Sequence, residues 1–182
     1  MFLAVLAGYG YALLVSERSR VVRSAVAAVL VIGLLAEYRT AIPLEAYPNA
    51  APPVYRFLAT QPRGIVAEFP VPQLGALPGH DAEFAYLSTF HWFPLVNGYS
   101  GYHPADYLQT LMAMRTFPDN ASIARLQAHD VRYVVLHRAY YETEPYTQLL
   151  LKIAVRPELR AWGTYKDPVG TADVFLLEPR SH

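Results

Sequence analysis

The sequence predicts an α/β fold: an N-terminal transmembrane helical hairpin followed by an extracytoplasmic α/β domain with a mixed sheet. Three observations lead to this prediction. Two apolar stretches at the N-terminus flank a short basic segment. Two short apolar runs, 65–69 and 131–137, alternate with segments of helical periodicity, as in sheets covered by helices. A turn-rich segment at 166–170 lies between two further predicted strands, which indicates an antiparallel hairpin.

The two apolar stretches, 2–15 and 21–36, predict two transmembrane helices within residues 1–40. A span takes about 20 apolar residues, and the second stretch approaches this length if Arg23 snorkels to the interface. The short first stretch predicts that the chain is a piece of a longer membrane protein. A cleaved signal peptide fits less well because no basic region precedes Phe2. A helical hairpin buried in a protein core remains an alternative.

Charge gives the predicted orientation of this hairpin. Arg18, Arg20 and Arg23 lie in or beside the connection, and basic loops stay in the cytoplasm. The sequence therefore predicts a multi-pass protein of the bacterial inner membrane, with membrane lipid as a partner and an extracytoplasmic C-terminal domain. The 15 basic and 15 acidic residues balance, and no basic stripe predicts nucleic-acid binding. The absence of cysteine is neutral evidence about the compartment.

Residues 41–53 contain four prolines and predict a stiff linker, so that the α/β domain occupies residues 54–182. Proline, aspartate and asparagine mark the predicted helix starts, and β-branched runs mark the strands. In chain order the elements are a helix from Pro52 or Pro53, a strand at 65–69, a helix from Asp81 to about His91, a helix from Pro104, a helix capped by Asp119 or Asn120, a strand at 131–137, a helix from Glu144, and strands at 159–165 and 172–177.

Two polar side chains, Glu68 and His137, stand near the ends of the two predicted central strands. The carboxyl ends of strands in an open α/β sheet face the usual binding crevice. Glu68 is a candidate base or hydroxyl acceptor, and His137 is a candidate for titration near neutral pH. The plainer alternative is that each group only binds a neighbouring loop. A hydrolase that uses both is a further alternative, which requires the two side chains to meet in one pocket.

The loop at 88–104 carries the densest set of candidate binding residues, in which aromatic, small and hydrogen-bonding side chains alternate. Aromatic side chains with polar tips suit stacking against sugar rings, while the polar residues suit bonds to hydroxyl groups. The candidates for substrate binding here are His91, Trp92, Asn97, Tyr99, Ser100 and His103. Two alternatives stay open: a loop packed over the core by its own aromatics, and an anchor at the lipid headgroups.

Several common signatures are absent from the sequence. No glycine-rich phosphate loop follows a strand, and no Gly-x-Ser-x-Gly segment occurs. His91 and His103 lack a partner histidine at the spacing of a zinc helix, and there is no cysteine. We therefore expect neither a metal nor a cofactor.

Four segments, 54–58, 65–70, 88–101 and 131–137, together resemble the C-terminal region of bacterial polytopic membrane proteins similar to GT-C glycosyltransferases, such as protein mannosyltransferases. The most specific part is His-Trp-x-Pro-Leu-Val-Asn-Gly-Tyr-Ser-Gly, which begins at His91. The resemblance covers most of residues 52–177.

This resemblance implies the C-terminal part of an integral membrane glycosyltransferase that uses a polyprenyl-phosphate sugar donor. The outer domain would assist in binding a glycan or protein acceptor, or stabilise the helix bundle. The catalytic acid of that group lies on an early extracytoplasmic loop, so no catalytic residue is assigned and the fragment is expected to be inactive alone. The alternative is a non-catalytic structural or interaction domain.

Overall fold

The computed structural model describes residues 2–39 and 47–180, apart from the side chains of 2–4. The chain divides into two compact units, residues 1–46 and 47–182. The first contains two helices, α1 (Phe2–Val15) and α2 (Arg20–Glu37). Ser19 caps α2 by accepting a hydrogen bond from the Val22 N–H. Of the predicted linker, residues 41–46 lie outside the described part, and 47–52 form neither helix nor strand.

The prediction of a transmembrane hairpin is wrong, and so is the multi-pass inner-membrane location deduced from it. Within the described residues, no helix combines the length and the apolar character that crossing a membrane requires. Helix α1 has 14 residues and so extends about 21 Å, against a hydrocarbon core of about 30 Å. Helix α2 has 18 residues but includes Arg20, Arg23 and Glu37. Arg23 binds the carbonyls of Ser16 and Arg18.

The second unit is α/β with a mixed four-stranded sheet in the order β1-β2-β4-β3, which confirms the predicted class of this part. The strands are β1 (Ile65–Phe69), β2 (Val131–His137), β3 (Leu159–Lys166) and β4 (Thr171–Leu177). Strands β1 and β2 are parallel, whereas β4 is antiparallel to both β2 and β3. The predicted β3–β4 hairpin is therefore present.

Within residues 47–180 five α-helices accompany this sheet: α3 (Pro53–Ala59), α4 (Asp81–Leu87), α5 (Ala105–Met114), α6 (Asn120–Ala128) and α7 (Thr143–Ala154). Pro53 begins α3, and the Asp119 carboxylate caps α6 by accepting the Ser122 N–H at 2.8 Å, both as predicted. Asp81 is not a cap. The cap position of α4 is His80, which makes no side-chain cap bond, and Asp81 is buried.

Strand β2 is buried on both faces, as its β-branched sequence predicts. Tyr133 and Val135 pack on one face with Val54 and Leu58 of α3. The alternate residues of β2 face the second cluster, which includes side chains of α6 and α7. Helices on both faces of the sheet leave the carboxyl ends of β1 and β2 at one edge, where the candidate polar residues lie.

Candidate functional site

The candidate residues on the strands lie beside each other because β1 and β2 are adjacent and parallel. Glu68 pairs with Val135 in the β1–β2 register, two residues before His137 at the end of β2. Their side chains meet: His137 Nε2 lies 2.7 Å from Glu68 Oε2. Both are buried, with 0% of Glu68 and 1% of His137 exposed. The contact between Glu68 and His137 that the hydrolase alternative requires is present, but neither side chain is accessible to a substrate.

A third and a fourth residue complete this buried cluster. His137 Nδ1 lies 2.9 Å from Asp167 Oδ2, and the Tyr55 hydroxyl donates a 2.8 Å hydrogen bond to Glu68 Oε2. Burial alone lowers the pKa of His137, but its hydrogen bonds with Asp167 and Glu68 outweigh burial and raise the pKa to about 9. At neutral pH the imidazole is therefore protonated, and each N–H donates to one carboxylate.

Tyr55 and Asp167 were not among the candidates predicted from sequence. Asp167 lies in the β3–β4 turn, where its carboxylate accepts the Val169 N–H, a common role for aspartate in turns. It reaches His137 because β4 is antiparallel to β2 and Ala172 pairs with His137. A prediction of the β2–β4 pairing would have placed this turn beside His137.

Asn97 anchors the candidate loop to β1, because its side-chain amide makes the two hydrogen bonds that a neighbouring strand would make with the backbone. Its Oδ1 accepts the Glu68 N–H at 2.8 Å, and its Nδ2 donates to the Glu68 carbonyl at 2.9 Å. Nearby, the Val66 N–H donates to the Pro94 carbonyl, and the Val96 N–H donates to the Val66 carbonyl. The loop thus covers the free edge of β1, a position that would otherwise expose unpaired backbone groups.

The second Nδ2 hydrogen of Asn97 donates to Asp81 Oδ1 at 3.0 Å. Asp81 also accepts a hydrogen bond from the Tyr107 hydroxyl. Burial raises the pKa of Asp81, against the opposing effect of these bonds. Burial and the bond to Asp81 raise the pKa of Tyr107. The Asn97 Oδ1 and both of its Nδ2 hydrogens are therefore bonded within the protein, and its role in sugar binding stays a prediction.

His91 is also turned inward. It is 6% exposed, stacks on Tyr55 with ring centroids 5.8 Å apart, and its Nδ1 accepts the Phe93 N–H at 2.9 Å. Burial lowers its pKa, so the ring is neutral. Its Nε2 has no hydrogen-bond partner among the described residues, and the same is true of Glu68 Oε1. His91 thus fixes the turn at 91–93 and is not accessible to a ligand.

The remaining loop candidates face outward. Trp92 is 76% exposed and Tyr99 is 63% exposed, as is Tyr102 at 74%, which sequence reasoning did not select. Ser100 is exposed and its Oγ accepts the Tyr102 N–H at 3.1 Å. His103 is half-buried and stacks on Tyr107, with centroids 5.8 Å apart. The structure therefore separates the predicted site into a buried set and an exposed set.

Trp92 adopts a backbone conformation that is unusual for a bulky residue, with φ of 57°. Its N–H donates to the Ser88 carbonyl at 2.7 Å, and the following residue is held by His91 Nδ1. The left-handed conformation costs about 1–2 kcal/mol. The surrounding bonds hold the backbone in this state, with the large indole directed into solvent.

No family model, curated protein or solved structure matches this chain. The glycosyltransferase resemblance thus stays a prediction. Within the described residues there is also no group of three or more histidine, cysteine, aspartate or glutamate residues placed to hold a metal ion.

Proposed function

We propose that the second unit is a non-catalytic module that binds carbohydrate on the outer side of loop 91–103, as the acceptor-binding part of a glycosyltransferase. The observation that carries this proposal is the position of Trp92: a strained, exposed tryptophan on a loop whose inner residues are fixed to β1. We call the three exposed aromatic side chains of this loop, Trp92, Tyr99 and Tyr102, the aromatic platform.

The exposure of the platform favours binding over packing. Were the loop merely packed over the core by its aromatics, these side chains would be buried, yet more than 60% of each is exposed. Inner residues of the same loop, His91 and Asn97, already fix its backbone. Exposed aromatic side chains on a fixed loop add little to the packing of the core, which leaves their faces free for a ligand.

Backbone strain at Trp92 supports the same conclusion. Residues in sparsely populated backbone conformations cluster at functional sites, where the fold holds them in place. Here the strain orients an indole that makes no hydrogen bond through its side chain within the described part of the chain. A preformed orientation reduces the conformational entropy lost on binding.

The chemistry of the platform suits sugar rings. Indole and phenol rings offer flat apolar faces, and phenol hydroxyls, Ser100 and His103 supply polar groups nearby in sequence. Because these side chains are exposed, we expect weak binding, with a Kd on the order of 1 mM. The polyprenyl-phosphate donor remains a prediction, and no described residue is assigned to its binding here.

The buried cluster does not favour a hydrolase. Glu68 and Asp167 each bind His137, and hardly any of the Glu68 or His137 side chain is exposed. A general base must lie within reach of the substrate, directly or through one water. The cluster instead ties the ends of β1 and β2 to the β3–β4 turn, a stabilising role.

The experiment is glycan-array screening of the full chain, followed by calorimetric titration of the best-binding oligosaccharide. We expect Trp92→Ala to weaken binding about fivefold, because aromatic stacking contributes roughly 1 kcal/mol beyond area burial. Tyr99→Ala is expected to act in the same direction. Tyr38→Ala is the matched control, since Tyr38 is 82% exposed but belongs to the first unit.

Three outcomes would overturn the proposal. The first is the absence of any binding to the array. The second is binding that Trp92→Ala leaves unchanged. The third is binding to phospholipid vesicles, without binding to glycans, that Trp92→Ala abolishes, because it would assign the platform to lipid headgroups.

A further inference from the structure

A cleft of about 590 Å³ lies at the carboxyl end of β1, and neither the buried cluster around His137 nor the aromatic platform contributes to its lining. Its wall includes Phe69, Leu111 and Met114, all of which are at least 95% buried. The segment that follows β1, residues 70–75, also lines the cleft. The volume falls within the range of about 300–1,000 Å³ that is typical of small-molecule sites. The carboxyl end of a strand is also the usual location of ligands in open α/β sheets.

The segment that borders the cleft has a defined structure. The Ala76 N–H donates to the Gln73 carbonyl at 2.8 Å, and the Gly79 N–H donates to the Ala76 carbonyl at 3.0 Å. Gly79 has φ of +55° and lies against Pro72, where a Cβ would come within 2.9 Å of the Pro72 Cβ. Consecutive turns and this close approach shape the border of the cleft.

Three of the residues that line this cleft carry polar end groups: Arg115, Tyr141 and Gln73. Arg115 and Gln73 are exposed, and Tyr141 is partly buried. None makes a side-chain hydrogen bond or ion pair within residues 2–39 and 47–180. Burial raises the pKa of Tyr141, so its hydroxyl remains a donor at neutral pH. All three groups can therefore donate to an oxygen of a ligand.

The charge on the lining of the cleft is positive. Arg115 is the only charged residue among the described residues that line it. Charged and polar donors beside a wall of buried apolar side chains suit a ligand that has a polar end and an apolar body. We propose that this cleft binds a small amphiphile with one anionic headgroup, phosphate or carboxylate, whose oxygens bind Arg115 and Tyr141 while its apolar body lies against Leu111 and Met114.

Helix geometry offers a competing role for Arg115. It is the C-cap of α5, and a cation there interacts favourably with the negative end of the helix dipole. That role predicts an effect of Arg115 on stability and none on ligand binding. The proposal predicts an effect on the affinity for anions that does not extend to neutral amphiphiles.

The chain contains three methionines, two of which provide a local test. Met114 lies in the cleft wall, whereas Met112, on the same helix, is 51% exposed and does not line the cleft. The full chain is labelled with ¹³C-methyl methionine and observed by NMR, and the Met112 signal is assigned by its loss in Met112→Leu. Four compounds are then titrated below their micellar concentrations: octyl phosphate, octanoate, octanol and inorganic phosphate. We expect saturable shifts of the Met114 methyl with octyl phosphate and octanoate, and none with inorganic phosphate.

Two matched variants test the role of the charge. Arg115→Gln is expected to weaken binding of both anionic amphiphiles about tenfold and to leave octanol unchanged. Arg63→Gln is the control, because Arg63 is exposed and does not line the cleft. Tighter binding of octyl phosphate assigns a phosphate ligand, and tighter binding of octanoate assigns a carboxylate.

The proposal is overturned if the Met112 and Met114 methyl groups respond equally, if octanol binds as tightly as octanoate, or if Arg115→Gln leaves the affinities unchanged. None of these results depends on the aromatic platform, so this cleft and carbohydrate binding fail or succeed separately.

Discussion

Protonated His137 is expected to make the stability of the protein decline at alkaline pH. Its pKa in the folded protein is about 9, whereas an unfolded histidine titrates near 6.5. Because the folded pKa is the higher one, the stabilisation is complete below about pH 6.5 and is lost as the pH rises through 9. Each unit of pKa difference corresponds to about 1.4 kcal/mol, so the free energy of unfolding should fall by about 3 kcal/mol over this interval.

The assay is urea unfolding followed by circular dichroism at pH values from 6 to 9.5, with His137→Gln as the comparison. The variant lacks the titrating imidazole and keeps two facing carboxylates, so it should be less stable at pH 6 and show a much smaller decline. The difference between the two proteins isolates His137 from other groups that titrate in this range. A wild type whose stability declines no more than that of His137→Gln would refute the reasoning.

Three further predictions concern the loop and the sheet edge. Asn97→Ala should lower the free energy of unfolding by about 3 kcal/mol in urea titrations, because two buried backbone groups of Glu68 lose their partners; a loss under 1 kcal/mol would contradict this role. Trp92→Gly should raise the free energy of unfolding by up to about 1 kcal/mol by relieving the left-handed backbone, whereas Trp92→Ala should not. Gly64→Ala should destabilise the protein by about 1–3 kcal/mol, because the new Cβ would lie 2.7 Å from the Arg132 Cβ; unchanged thermal unfolding would argue against it.

The sheet could be predicted from sequence because its strands carry strong local signals. The β-branched run at 131–137 indicates burial on both faces, and the turn residues at 166–170 indicate the hairpin that follows. The order of the strands depends on contacts distant in sequence, which periodicity does not encode. For that reason the pairing of β2 with β4, and with it the contact of Asp167 with His137, was not predicted.

The N-terminal helices show that sequence can predict a helix correctly and its environment wrongly. Apolar composition at 2–15 and 21–36 indicates helices, and both are present. The predicted second span already included Arg23 and relied on its side chain reaching the membrane interface. In the structure Arg23 binds the carbonyls of Ser16 and Arg18, and α2 also includes Arg20 and Glu37. No helix among the described residues is long and apolar enough for the predicted span.

The candidate loop stands out in the sequence as a dense set of aromatic and polar residues, but which of them are buried could not be predicted from sequence. Asn97 and Trp92 both look like ligand-binding residues in the chain. Only the pairing of the loop with β1 directs Asn97 inward and leaves Trp92 exposed. Likewise Asp81 resembles a helix cap, yet it binds Asn97 and Tyr107 because the loop passes over it.

The most direct test of carbohydrate binding uses Trp92 as its own reporter. The chain has two tryptophans, so Trp162→Phe leaves Trp92 as the only indole. On addition of the best-binding oligosaccharide, we expect its emission to shift to shorter wavelength and its quenching by acrylamide to decrease, saturating with the Kd measured by calorimetry. Emission and quenching that do not change at saturating oligosaccharide would contradict the assignment of Trp92 to the binding surface.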